Sequence, residues 1–449
     1  MDAARLAKVW LPRLLIGAMV LRALAAIGLD SFLEHRLHQQ YLILGDAEGY
    51  WDLAGDIADG REYAVYEPPR RVLRMPGFPA VLALSRVCFG EHLLPARLIL
   101  AIVGTLACWG VWKLGQLLAG ELVGLIACAY VAACPAMVLF SVMILSETTF
   151  AATLVISLVC GAKLVRHGNG HSDPTGPLIG PGQGASHAVE RSTADPPPGI
   201  NLRWALLTGL SIAAATYVRP SWLLTAPLFA LCLPLCGRGL RNRLVEGGLV
   251  CGVVLLALLP WGYRNQAATG HFVLTSLWMG PSLYDGLHPG ATGDSDMAFY
   301  DRDNLQAGGL SEYAVNQHYK QAAVDFVKAN PGRTLELAAI KTWRFWKPWP
   351  NAGQFGGPLG AAAIAIPYLP LVLLAMWGAV RGGGGCWTRL LSAGPILYFA
   401  ALHMVFVSSL RYRLPAEYPL AVLAAIGLLT LRNRSGNNTC LPPQPTPEV

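Results

Sequence analysis

The fold class this sequence predicts is an all-α polytopic membrane protein, and three observations predict it. Of 449 residues, 54% are hydrophobic and only 14% charged, whereas a soluble domain carries about a quarter charged residues. Apolar runs close to the ~20 residues needed to cross a bilayer recur along the chain. The formal net charge is +7, but the arginines sit at the ends of the apolar runs. That placement is a mark of membrane topology rather than of nucleic-acid binding, so no nucleic-acid partner is expected.

Ten transmembrane helices are expected, at 9–29, 96–118, 121–140, 148–165, 202–217, 221–236, 244–263, 359–380, 390–410 and 414–431. The first is read as a retained helix, because it is longer than a signal-peptide core and lacks a small-x-small cleavage site. Arg13 can reach the cytoplasmic face, while Arg22 lies deeper and must face protein or water. The ten cysteines show neither zinc spacing nor a disulfide framework and are read as small packing residues.

The loop 30–95 contains an amphipathic stretch from Glu48 to Ile57 and an apolar stretch at 76–90, bounded by Arg74 and Glu91. The apolar stretch is short for a span and is expected to lie in, or re-enter, the membrane surface. The positive-inside rule agrees. With the N-terminus inside, the inner segments hold Arg166, Arg191, Arg238, Arg241, Arg243, Arg381, Arg389, Arg432 and Arg434. Counting 76–90 as a span would put most of that charge outside. On this topology Asp46, Glu48, Glu147, Arg219, the region 264–357 and Arg411 to Arg413 share the outer face.

Four divisions follow. Residues 1–263 form a transmembrane module, with the first outer loop at 30–95 and a Gly-, Pro- and Ser-rich cytoplasmic loop at 167–201 expected to be disordered. Residues 264–358 form an outer helical cap, with two periodic stretches split by Asn330-Pro331-Gly332. The cap ends in an interfacial belt of Trp343, Phe345, Trp346 and Trp349. Residues 359–431 are the C-terminal transmembrane helices, and 432–449 a disordered tail.

Asp46 and Glu48 are the first candidates for chemistry. Spaced i, i+2, they do not share a helix face and would do different jobs. Asp46 suits either a helix N-cap or a general base with a raised pKa. Glu147 follows Ser146 at the outer start of a span, as a partner of the helix dipole or a second acidic group facing the loop. Arg219, in Val218-Arg219-Pro220, is a snorkelling charge or a forked phosphate ligand. Arg411 and Arg413 put positive charge on the outer face, against the topology rule, which favours an anionic ligand. Arg264, beside Trp261 and Tyr263, is read first as part of an aromatic belt. Tyr50 and Arg74, in the first loop, complete the candidate set. Asp294, Asp296, Asp301 and Asp303 lack the ordered spacing of a calcium loop. No metal ligands or certain cofactor are assigned, and a divalent cation is the open option. The Walker loop, GxGxxG, GxSxG and HExxH are absent.

The series of motifs resembles the C-type membrane glycosyltransferases, in the branch of protein O-mannosyltransferases and lipid A aminoarabinose transferases. Its parts are the first-loop acidic residue followed by Tyr50, Arg74-Met75-Pro76-Gly77-Phe78-Pro79, Ala96-Arg97-Leu98, Cys134-Pro135, Leu145-Ser146-Glu147, Val218-Arg219-Pro220, Pro260-Trp261 with Arg264-Asn265, and Arg411-Tyr412-Arg413-Leu414-Pro415. The resemblance implies a hexosyl- or pentosyl-transferase in a bacterial plasma membrane, with its site on the extracytoplasmic face. It implies a polyprenyl-phosphate sugar donor, a lipid, glycan or protein acceptor, and inversion by single displacement. It implies Asp46 as the base, with Glu48 as a rival, and Glu147 as the second acidic residue. Arg219 and Arg413 become candidates for the lipid phosphate. The alternative is a transporter or flippase of polyprenyl-linked glycans. That reading calls for inverted repeats and charge pairs near mid-membrane, and the sequence shows neither.

Overall fold

The computed structural model describes residues 3–168, 199–235, 239–350, 357–382 and 385–437. Most of the cytoplasmic loop and tail expected to be disordered lies outside these residues. The first half of the chain runs α1 (Ala3–Phe32), α2 (Asp46–Asp59), α3 (Gly77–Phe89), α4 (Leu93–Ala119), α5 (Glu121–Ala133), α6 (Pro135–Phe140) and α7 (Glu147–Gly168). It continues with α8 (Leu202–Val218), α9 (Thr225–Cys232) and α10 (Leu240–Thr269). The cap follows as α11 (Met279–Gly286), α12 (Ala298–Asp303), α13 (Glu312–Ala329) and α14 (Pro331–Trp346), and the chain closes with α15 (Pro358–Arg381), α16 (Cys386–Val405) and α17 (Leu410–Asn437). The fold is all-α. Among the described residues the one β feature is an isolated bridge between Val65 and Arg70.

Six described helices, α1, α4, α7, α10, α15 and α17, are long and apolar enough to cross a membrane. The chain is an integral membrane protein. Of the other expected spans, 390–410 folds as the unbroken 20-residue α16, while 121–140, 202–217 and 221–236 fold as shorter or broken helices bounded by prolines. The run 121–140 breaks at Cys134, because Pro135 has no N–H to continue the ladder. That break leaves the carbonyls of Val131 and Ala132 short of partners, and Arg22 supplies them at 3.1 and 3.2 Å. Arg22, fully buried in α1, thus faces protein as its depth demanded. The run 221–236 is a chain of short pieces, with 3₁₀ turns at Pro220–Trp222 and Leu233–Leu235 flanking α9.

Two boundaries differ from expectation in ways that matter below. Helix α10 continues past Tyr263 to Thr269, so Arg264 lies within a helix. Helix α17 begins at Leu410, so Arg411 and Arg413 both sit in its first turn. Residues two apart on a helix point about 200° apart, and these two arginines therefore cannot serve one ligand.

Helices α7 and α17 are the most enclosed elements. Helix α7 packs on α4 and α8, and α17 packs on α15, α16 and α5. The backbones of α15 and α17 approach so closely that a Cβ on Gly427 would lie 2.0 Å from the Leu374 carbonyl oxygen. Small residues permit such contact where lipid supplies no hydrophobic drive between helices. Helix α3 has 13 residues, about 20 Å at 1.5 Å per residue, too short to cross. It buries Phe78, Pro79 and Leu82 and leaves Leu84, Val87 and Phe89 exposed. The cap has its own small cores, one around Leu287, Ala323 and Leu337 and one around Phe299, Tyr300 and Tyr319.

Candidate active site

Five charged side chains from five parts of the sequence form one continuous chain of ion pairs at one end of the bundle. Arg74 Nη2 donates to Asp46 Oδ1 at 2.9 Å, and Arg411 Nη1 to Asp46 Oδ2 at 3.0 Å. Arg411 Nε then reaches Glu147 Oε1 at 2.7 Å, and Arg219 Nη2 the same oxygen at 2.9 Å. The signs alternate from Arg74 through Asp46, Arg411 and Glu147 to Arg219. Three guanidiniums against two carboxylates leave a formal charge of +1.

Local structure explains how each member arrives. Asp46 is the first residue of α2, at the tip of a turn that Gly45 makes with φ of 72°, a conformation glycine adopts at no steric cost. Arg74 lies just before α3, whose start is pressed against the end of α8. A Cβ on Gly77 would lie 2.6 Å from the Tyr217 carbonyl oxygen, so glycine is what lets the Arg74 segment approach Arg219. Pro220 ends α8 and leaves Arg219 extended at its C-cap. Glu147 opens α7 and Arg411 opens α17, so both are carried by the two most enclosed helices.

Neutral groups line the chain. The Ser146 hydroxyl accepts from Arg219 Nε at 2.9 Å, and Tyr50 Oη lies 3.4 Å from it. The Arg74 guanidinium lies 4.0 Å from the centre of the Tyr50 ring, a cation–π contact. Tyr66 donates to the Gly45 carbonyl at 3.0 Å.

The two carboxylates differ in environment. The Glu147 side chain is 0% exposed and that of Asp46 is 41% exposed. Glu147 Oε2 and Arg74 Nε are both buried without a hydrogen-bond partner, so the cluster retains an acceptor and a donor in reserve. Burial pushes the Asp46 carboxyl up, but the guanidiniums of Arg74 and Arg411 outweigh it and hold the carboxyl well below the usual range. In this arrangement Asp46 is a fixed anion and a weak base.

The remaining candidates stand apart. Glu48 is exposed and accepts from the Gly45 N–H at 3.3 Å. Its spacing from Asp46 did separate their tasks, but the turn-closing task belongs to Glu48 and not to Asp46. Arg264 donates to the carbonyls of Arg71 and Tyr63 and lies over the Trp261 ring. Arg413 is fully buried, bound to Glu417 at 2.7 Å and to the carbonyls of Phe345 and Lys347. It fastens the end of α14 to α17. Three of the cap aspartates are also separated in task. Asp294 pairs with Arg344, Asp296 holds the Ala298 N–H, and Asp303 accepts from Tyr319. Among the described residues no three acidic, His or Cys side chains converge as metal ligands.

Residues 71–176 match the family model for dolichyl-phosphate-mannose-protein mannosyltransferase. The matched segment is about a quarter of the chain. It contains Arg74, Ser146 and Glu147, and leaves Asp46, Arg219 and Arg411 outside it. The fold of the whole chain is similar to that of the archaeal oligosaccharyltransferase AglB from Archaeoglobus fulgidus, solved with an inhibitory peptide and a dolichol-phosphate. The TM-score is 0.52 at 12% identity, over 98% of this chain and 53% of that one. The apo form of the Archaeoglobus fulgidus oligosaccharyltransferase aligns with a TM-score of 0.51 at 14% identity, over 94% and 52%. ArnT from Cupriavidus metallidurans bound to undecaprenyl phosphate aligns at 15% identity over 96% and 79%, with a TM-score of 0.42. The fold likeness rests on the oligosaccharyltransferase, of which this chain spans about half the length. No curated protein sequence matches the chain. The matched segment thus supplies Arg74, at one end of the ion-pair chain, and Glu147, while flanking parts of the sequence supply Asp46, Arg411 and Arg219.

Proposed function

We propose that the protein transfers a sugar from a polyprenyl-phosphate donor to an acceptor hydroxyl, at the extracytoplasmic end of the bundle, by a single inverting displacement. The observation that carries this reading is the ion-pair chain with its residual positive charge. A sugar joined to a lipid through one phosphate is a phosphodiester with a single negative charge, which balances a cluster of formal charge +1. Arg74, Arg219 and Arg411 are the phosphate ligands, and their forked donors suit the task.

The carboxylates give way to the donor. As the phosphate takes up guanidinium donors, Asp46 loses counter-charge and its basicity rises. It then accepts the proton of the acceptor hydroxyl, whose oxygen attacks the anomeric carbon. The bond from that carbon to the phosphate oxygen breaks, and the lipid phosphate leaves with the electron pair. The arginines stabilise the charge that develops on it, as oxyanion-hole donors do. Glu147 holds Arg219 and Arg411 in register and neutralises them when no donor is bound. Tyr50 braces Arg74. The sugar is a hexose or a pentose, and the acceptor hydroxyl is on a lipid, glycan or protein. The reading needs no cofactor, because arginine rather than a divalent cation neutralises the phosphate.

The test is transfer from a labelled polyprenyl-phosphate sugar in detergent. Asp46→Asn abolishes turnover, whereas Glu48→Gln stays within about threefold of wild type, as a surface change does. Full activity in Asp46→Asn, with loss in Glu48→Gln, would give the base role to Glu48. Activity that survives Asp46→Asn, Glu147→Gln and Arg411→Ala alike would remove the site from this end of the bundle.

A further inference from the structure

Two consecutive residues of the first loop have every backbone polar group held by residues from α10 onward. Glu312 opens α13, and its carboxylate accepts from the N–H of Arg71 at 2.9 Å and the N–H of Val72 at 3.0 Å. The Arg71 carbonyl accepts from Arg264 Nη1, whose Nη2 also holds the Tyr63 carbonyl at 2.9 Å. The Val72 carbonyl accepts from the Leu277 N–H at 2.8 Å. Residues 61–76 belong to no helix or strand, so these external bonds decide the path of the backbone. Val72 itself is fully buried. Two residues later comes Arg74, the first member of the ion-pair chain.

We propose that Glu312 is a positioning residue, which holds the Arg71–Val72 backbone so that Arg74 meets Asp46. The sequence offered no hint of this, since Glu312 lies about 240 residues from its partners in a stretch read as a helical cap. A carboxylate is suited to the task because its two oxygens take two adjacent N–H donors. Glutamine has one acceptor oxygen, and its amide would turn a donor toward a donor. Arg264 works beside it, which gives that arginine a place in the loop rather than on a ligand. The structural part of the proposal stands by itself. Its catalytic consequence rests on the function proposed above.

The experiment uses the full chain in detergent and compares wild type, Glu312→Gln, Glu312→Ala, Arg74→Ala and the Glu312→Ala/Arg74→Ala pair. Amide hydrogen exchange is read over residues 65–76, and donor-dependent transfer is read in parallel. Glu312→Ala speeds exchange at Arg71 and Val72 by about tenfold, the effect of losing one hydrogen bond to a charged group. Glu312→Gln speeds exchange at one of the two. Transfer falls in Glu312→Ala, and the double variant is no slower than Arg74→Ala alone, because Glu312 acts through Arg74. Unchanged exchange in Glu312→Ala overturns the proposal whatever the activity. So does a double variant whose loss is the product of the two single losses. A wild-type chain that transfers no sugar defeats the function proposed above, and the exchange result then judges Glu312 alone.

Discussion

Arg411 is the pivot of the ion-pair chain, and removing it should separate two couplings of different size. Its guanidinium lies 3.0 Å from Asp46 and 2.7 Å from Glu147. At an effective dielectric of about 20, each contact has a Coulomb energy of roughly 5–6 kcal/mol before desolvation is charged against it. The net values are smaller and unequal. The Asp46 side chain is 41% exposed, so its pairing is screened and should couple at about 1–2 kcal/mol, between surface and buried pairs. The Glu147 side chain is 0% exposed, and breaking a buried pair costs about 3–5 kcal/mol. Arg219 keeps its own contact with Glu147, so the lower end applies. Two double-mutant cycles on kcat/KM measure this: Arg411→Ala with Asp46→Asn, and Arg411→Ala with Glu147→Gln. The Glu147 cycle should show the larger coupling, by about tenfold in rate, or ~1.4 kcal/mol. Equal couplings, or couplings below about 0.5 kcal/mol in both, would refute the reasoning, because the side chains would then not act as one unit.

Three further outcomes follow from the same geometry. Arg413→Met should lower the thermal midpoint in detergent and leave the donor KM unchanged, since Arg413 binds Glu417 and two carbonyls rather than the cluster; the stranded Glu417 should cost about 3 kcal/mol. The Asp46 carboxyl is held low, so its ion-pair stabilisation is complete above the unfolded value of about 3.9 and is lost only as pH falls through the lower folded value. The profile of kcat/KM, which reports the free enzyme, should therefore show no acid limb above about pH 5, and a limb between pH 5 and 7 would mean that Asp46 is not ion-paired in the free protein. Chelation with EDTA should leave the transfer rate within about twofold, a negligible free-energy change, because arginines already neutralise both carboxylates. A rate restored only by added magnesium or manganese would reverse that expectation.

Much of the site was legible because topology could be counted. Apolar runs and the placement of arginine put Asp46, Glu147, Arg219 and Arg411 at one end of the bundle before any coordinates. The i, i+2 spacing separated Asp46 from Glu48. The same spacing would have separated Arg411 from Arg413 had their stretch been read as helix. The last apolar run begins only at Leu414, which leaves Arg411 to Arg413 between two runs, whereas α17 begins at Leu410 and carries Pro415 inside it, where neighbouring helices tolerate it. The task assigned to Asp46 as a cap failed for a similar reason. A cap needs the residue just before the helix, and the turn at Gly45 begins α2 at Asp46, two residues earlier than the stretch from Glu48 suggested.

By itself the sequence determined the all-α membrane fold and which charged residues could not lie in lipid. Those follow from transfer free energy, which is a property of local composition. Tertiary structure alone decided which arginine meets which carboxylate. Arg413 looks like a phosphate ligand on paper, and in the fold it satisfies two carbonyls and a buried glutamate. Glu312 looks like an ordinary surface residue, and in the fold it holds two amides of the active loop. The physical reason is that a charge near a membrane must find a partner, and the partner's identity depends on contacts across hundreds of residues that no local pattern encodes.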